Sequence, residues 1–279
     1  MSLCVFCFHR VADVYDPLGL SVGVKDFEKF IKFLSTTNRV VTLNDGLSFI
    51  QSEVLHYSIT FDDGYYDLVN SAIPILCKYE IPAAIFIPTY YTVNEIPFWW
   101  EVAIRLNSKT IKKVFNDAGL NSDQENDIID LLKNMRFGKR ERILSQFVHR
   151  KDALPKSLSL YQLKNMPTNI EICRHGHSHT LCSLLSREEF IFEIEKNDAC
   201  LSELPNYNKL FFAYPNGTRD DYSFLHLGLL EEYNFHGAFT TLEGINTVNN
   251  NFELKRIVIN SGNVKKYFNS TDYKEFISP

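Results

Sequence analysis

The chain has 279 residues, 45% hydrophobic and 23% charged, the balance of a globular protein with one large α/β domain or two small ones. Its formal net charge of −5 excludes the basic footprint of a nucleic-acid binder at the level of the whole chain. No apolar run approaches the roughly 18 residues of a membrane span.

The first apolar run, Leu3–Phe8, has no basic stretch before it and no small-residue cleavage site after it. It reads as a buried strand rather than a signal peptide, and a cytoplasmic location is expected. The six cysteines are then expected to be reduced. Cys4 and Cys7 form a CxxC, but strand alternation sends them to opposite faces. A helix follows over Val24–Leu34, with Phe27, Phe30, Ile31 and Leu34 at helical spacing. Strands are expected at Val40–Leu43, Ser58–Phe61 and Ala83–Ile87, with a helix over Tyr66–Tyr79. From about Phe98 to Met166 the rhythm breaks into helical sequence rich in charge, including Lys112, Lys113, Lys139, Arg140, Glu141 and Arg142. This stretch reads as an insertion on the rim of a single domain spanning 1–279, its charges forming a solvated face, with a substrate-phosphate contact as the alternative. Strands return at Ile170–Cys173, Leu210–Tyr214, Gly237–Thr241 and Arg256–Ile259, alternating with helices over Arg187–Leu204 and Asp221–Tyr233. Leu242–Phe252 is a polar loop. Strands and helices in alternation imply parallel βαβ units. Eight or fewer such units suggest a closed or nearly closed barrel, with an open doubly wound sheet as the alternative.

Three polar clusters follow apolar strands, on the side where a parallel barrel carries its active site. The first is Asp62-Asp63-Gly64. Adjacent carboxylates after a buried strand repel one another unless a cation is near, although a helix-capping turn would look the same. The second holds His175, His177 and His179. His175 and His179 are four apart, so one helical turn would put both imidazoles on one side, a spacing suited to a metal. His177 is a second-sphere or substrate contact, or merely exposed. The third is Tyr214-Pro215-Asn216-Gly217, a rigid turn that could aim backbone N–H groups into a site. Asp63 with His175 and His179 would make a two-His, one-carboxylate site for zinc, with iron also compatible. Asp62, staying off the metal, could take a proton from the bound water. The chemistry implied is hydrolysis of an amide or ester carbonyl.

Thr60-Phe-Asp-Asp-Gly64, His175-Gly-His-Ser-His179 and Phe212-Ala-Tyr-Pro-Asn-Gly217 resemble, in order, the first three motifs of the polysaccharide deacetylase family, the NodB-homology carbohydrate esterases. The resemblance implies an α/β fold, a distorted (β/α) barrel of about seven parallel strands with a helical insertion at about 98–166. It implies Asp62 as catalytic base and Asp63, His175 and His179 as ligands of one divalent metal, usually Zn2+. A backbone N–H near Asn216 would bind the oxyanion. The expected reaction is removal of an N-acetyl group from an amino sugar, a precursor in surface polysaccharide biosynthesis. A deformylase or other C–N hydrolase on a small molecule, and a non-catalytic sugar-binding relative, are the alternatives. The third motif usually begins with an Arg that pairs with the base, and Ala213 stands there. Arg256 is the candidate replacement, against a surface ion pair. His9 is the candidate acid for the leaving amine, against a satisfied rim histidine. Among rim aromatics, Trp99 and Tyr214, with Pro215 and Asn216, are the candidates for sugar contact.

Overall fold

A computed structural model describes residues 2–117, 119, 128–147, 154–248 and 250–268. Part of the expected insertion, at 118, 120–127 and 148–153, lies outside the described residues, as does Asn249 of the polar loop. In chain order the strands are β1 (Ser2–Phe8), β2 (Arg10–Val11), β3 (Ser21–Val22), β4 (Leu55–Phe61), β5 (Ala83–Ile87), β6 (Ile170–Arg174), β7 (Tyr207–Ala213), β8 (Gly237–Phe239) and β9 (Ile257–Val258). The helices are α1 (Val24–Ser35), α2 (Leu43–Ser48), α3 (Ala72–Lys78), α4 (Thr89–Asn94), α5 (Trp99–Ala103), α6 (Ser108–Asp117), α7 (Ile128–Lys133), α8 (Phe137–Leu144), α9 (Leu160–Lys164), α10 (Arg187–Leu201) and α11 (Phe224–Glu232).

One seven-stranded sheet runs in the order β8-β7-β6-β5-β4-β1-β9, every neighbouring pair parallel. It curls into the distorted (β/α) barrel. Between β8 and β9 the ladder shrinks to a parallel bridge, Phe239 to Leu254. Leu254 N–H donates to Ala238 O at 2.9 Å, and Thr240 N–H donates to Leu254 O at 2.9 Å. Three residues later the chain joins β1, so the stretch from Leu254 to Val258 closes the barrel.

Both faces of the sheet are covered, which is why its strands are continuous apolar runs. In β1, alternate residues serve two cores. Leu3 and Val5 face the barrel interior with Phe86, Cys173, Phe211, Ala213 and Phe239. Cys4, Phe6 and Phe8 face the helical layer. There Phe30 of α1 meets Phe6 edge-on at 5.0 Å, and Phe27 meets Phe8 at 5.2 Å. The helical spacing of Phe27, Phe30, Ile31 and Leu34 is the face that docks.

Two expected elements differ. Val40–Leu43 supplies only a bridge from Val40 to Tyr57. The Thr42 side chain then accepts the Asp45 N–H at 3.2 Å and starts α2 at Leu43. N-capping outweighs the strand propensity of the preceding valines. The helix over Tyr66–Tyr79 is broken at Ser71 (φ −125°, ψ −73°) into a 3-10 segment, Tyr66–Asn70, and α3. Pro74, which has no N–H to donate, falls in the first turn of α3, where none is needed. Among the described residues no helix is long and apolar enough to cross a membrane.

The α1–β1 packing sets the core's stability. Phe30→Ala is expected to lower the unfolding free energy by ~3–5 kcal/mol in urea titration, as for other buried aromatics. A loss under ~1 kcal/mol would place the main core elsewhere.

Candidate active site

The Asp62 N–H donates to Phe8 O at 2.9 Å, carrying the strand pairing one residue past β4. Its carboxylate takes both arms of Arg256: Nη1 donates to Oδ1 at 2.7 Å and Nη2 to Oδ2 at 2.6 Å. Arg256 has no solvent exposure. Its Nε donates to Thr240 O at 2.8 Å, so all three nitrogens of the guanidinium are engaged. Burial alone would push the Asp62 carboxyl up. The Arg256 charge and hydrogen bonds overcome this and hold it well below the usual carboxylate range. The Cys7 thiol lies 3.5 Å from Asp62 Oδ2, and burial raises its pKa far enough to keep it protonated.

Asp63 turns away from this pair by adopting the left-handed conformation, φ 66°. Gly64 repeats it at φ 63°, where a Cβ would collide with Ile87. A non-glycine residue at such a φ costs of order 1–3 kcal/mol, and such strain gathers at functional sites. His179 (φ 53°) and Asn216 (φ 62°) share this feature.

His175 and His179 do converge, but not on the helical turn expected from their spacing. After β6 the chain is a loop whose direction is set by left-handed Gly176 (φ 72°) and His179. His179 Nε2 lies 3.2 Å and His175 Nε2 3.6 Å from Asp63 Oδ1. One donor atom from each of the three residues falls within 4.8 Å of the other two. His175 Nδ1 sits 2.8 Å from Ala213 O, which fixes the proton on Nδ1 and leaves the Nε2 lone pair for a metal. Asp63 Oδ1 is buried without a hydrogen-bond donor. Burial pushes the Asp63 carboxyl up to about 6 and, with Arg140 nearby, brings the His179 imidazole down to about 3. A carboxylate that burial disfavours, an orphaned oxygen and two neutral imidazoles are the donor set that a divalent cation stabilises.

The loop between the two histidines is held from behind by α10, which the sequence did not mark as functional. Glu193 Oε2 accepts the His177 and Ser178 backbone N–H groups, each at 2.7 Å, and Oε1 accepts the Ser178 hydroxyl at 2.7 Å. One turn on, Asn197 donates to Ile87 O at 2.8 Å and to Gly176 O. The available signal was two polar residues four apart, Glu193 and Asn197, on the helix face that also carries Phe190, Ile194 and Leu201. Arg140, expected on a solvated face, is wholly buried; it donates to Ser178 O at 3.0 Å and lies over the Trp99 ring.

These groups open onto a cavity of about 340 Å3. His9, Asp62, Asp63, His175, His179, Asn216, Trp99 and Trp100 all line it. Tyr214 does not. Its ring is buried, stacked on Tyr222 at 4.3 Å, with the hydroxyl donating to Phe252 O at 3.0 Å. The alternation of β7 sends it into a core beneath the mouth, so it is no sugar contact, and Pro215 likewise does not line the cavity. Asn216 is anchored through its side chain to Asp221. His177 turns to Thr89, 2.9 Å from its hydroxyl, and exposed His236 sits at the N-terminal end of β8. Trp100, not singled out from its neighbour in the sequence, donates to Tyr65 and lies against His179.

A curled parallel sheet with two carboxylates and two imidazoles at the C-terminal ends of its strands defines a barrel hydrolase. The chain belongs to the polysaccharide deacetylase family, whose sequence model matches residues 53–238. No curated protein sequence matches it. Among solved structures, the Streptococcus pyogenes deacetylase PplD, in complex with acetate, is similar at a TM-score of 0.67 and 18% identity, over 100% of this chain and 99% of its own. IcaB from Ammonifex degensii is similar at a TM-score of 0.64 and 17% identity, over 97% of each chain. A de-N-acetylase from Aggregatibacter actinomycetemcomitans is similar at 0.57 and 14%, over 99% and 100%.

The Glu193 contacts make its carboxylate a support for the histidine loop. Glu193→Ala is expected to weaken the affinity of the Asp63–His175–His179 cluster for a divalent cation by about 10–100-fold, the usual effect of removing an outer support. Competition with a fluorescent chelator measures it, and unchanged affinity would show that the loop holds itself.

Proposed function

We propose that this chain is a metal-dependent deacetylase that removes the N-acetyl group of an amino sugar, a precursor in surface polysaccharide assembly. The observation that carries the reading is the Asp63–His175–His179 cluster beside a carboxylate kept ionised by Arg256. Asp63, His175 and His179 would hold the ion, and their oxygen and nitrogen donors suit zinc. When bound, such an ion supplies a water acidified toward roughly pKa 7 and a polarised acyl carbonyl. Asp62 accepts the proton of the attacking water. Pairing with Arg256 makes Asp62 a weak base but an ionised one; Oδ2 also accepts from the Cys7 thiol, and Oδ1 retains a second lone pair for the water. Arg256 thus positions Asp62 rather than touching substrate.

The Asn216 backbone N–H, which has no acceptor among the described residues, faces the charge that develops on the acyl oxygen. His9, at the end of β1 and lining the cavity, delivers the proton to the leaving amine; its buried Nδ1 has no partner in the protein. Trp99 and Trp100 offer faces for the sugar ring. The cavity volume is that of a small-ligand site.

Acetate release from N-acetyl amino sugars tests the reading, with formate release from the N-formyl analogues as the control. Chelation is expected to abolish turnover and zinc to restore it. Asp62→Asn is expected to reduce kcat by about 10²–10⁴-fold, the range of general base catalysis, while zinc content stays stoichiometric. Full turnover by the chelated protein, or by Asp62→Asn, would dismiss the mechanism.

A further inference from the structure

One cation in the cavity has no role in the chemistry above. Lys133 ends α7 and lines the cavity beside Trp99 and Ile129. It is half-buried, and its ammonium has no hydrogen bond or ion pair among the described residues. The other cations around the site are used. Arg256 is spent on Asp62, and Arg140 is turned to Ser178 and Trp99.

The charges facing the cavity are unequal. Its acidic groups are engaged within the site: Asp62 pairs with Arg256, and Asp63 stands with His175 and His179 in the candidate metal cluster. Lys133 is the charge of the lining left over. A neutral N-acetyl sugar does not offset it, and apolar walls at Leu18, Leu20 and Ile129 strengthen its field. The missing complement is an anionic group on the substrate. Lys133 is a point charge of the kind that binds phosphate.

We propose that the substrate of this site is an N-acetyl amino sugar bearing phosphate, and that Lys133 is the counter-ion of that phosphate. The acyl chemistry rests on the deacetylase reading above; the phosphate contact does not. Free sugar phosphate and a diphosphate-linked sugar share this chemistry, and the test separates them.

The chain's two tryptophans are Trp99 and Trp100, and both line the cavity, so intrinsic fluorescence reports its occupancy. Zinc-loaded protein would be titrated with N-acetylglucosamine, its 1-phosphate and its uridine diphosphate derivative. At low salt one phosphorylated probe is expected to bind about tenfold or more tighter than the neutral sugar, an advantage that shrinks as salt is added. Whichever binds tighter identifies the source. In Lys133→Ala that advantage is expected to fall within about twofold, and in Lys133→Arg most of it is kept. Equal binding of all three probes, or none, overturns the proposal. So does a preference that survives in Lys133→Ala, which would assign the phosphate to the ion and Lys133 to its helix end. Acetate release followed in parallel separates the two readings. Lys133-dependent binding without acetate from any probe overturns the deacetylase reading alone. Acetate release without a phosphate preference overturns this proposal alone.

Discussion

A guanidinium and a carboxylate, both removed from water, face each other across the mouth of the barrel, and the remaining structure is arranged around that pair. Neither Arg256 nor Asp62 would be tolerated there without the other; stripping a partner from such a pair costs about 3–5 kcal/mol. The pair joins distant parts of the sequence. Asp62 leaves β4, Arg256 enters β9, and β1 lies between those strands. The same contact therefore ties the last strand into the sheet and decides the charge of a site residue.

The opposite side of the site follows a different logic. Asp63, His179 and Asn216 all occupy left-handed backbone, and the loops carrying His179 and Asn216 are held by neighbouring side chains. Glu193 and Asn197 pin the histidine loop through its amide N–H and carbonyl groups. Asp221 accepts the Thr218 backbone N–H and the Asn216 side-chain amide. Buried carboxylates and an amide thus bear on the backbone behind the site, so the groups facing the cavity need not stabilise their own loops.

Much of this was legible in the residues. Apolar runs alternating with helical stretches pointed to parallel βαβ units, and the three motifs favoured the barrel over an open doubly wound sheet. Asp62, Asp63, His175 and His179 stood out because so many polar groups at strand ends have little packing explanation. The geometry of the histidine pair was not legible. A spacing of four suggests one helical turn, and only the positive φ values of Gly176 and His179 reveal another route to the same convergence. Tyr214 was misread because its motif sits at the mouth while its ring follows strand alternation into the core. Arg140 was misread because a charged residue in a charged stretch looks solvated; its burial depends on Ser178 and Trp99, which sequence order does not bring near. Arg256, 194 positions from Asp62, could be suspected only from a strand end that lacked its usual arginine elsewhere.

The narrowest part of the barrel wall lies between β8 and β9, where a bridge at Leu254 replaces a ladder. Arg256 sits two residues beyond it. Any local parting of that seam draws the guanidinium off Asp62 and leaves a buried acid without its counter-charge, which then favours its neutral form. Loosening of the wall and loss of the proton acceptor are thus one event.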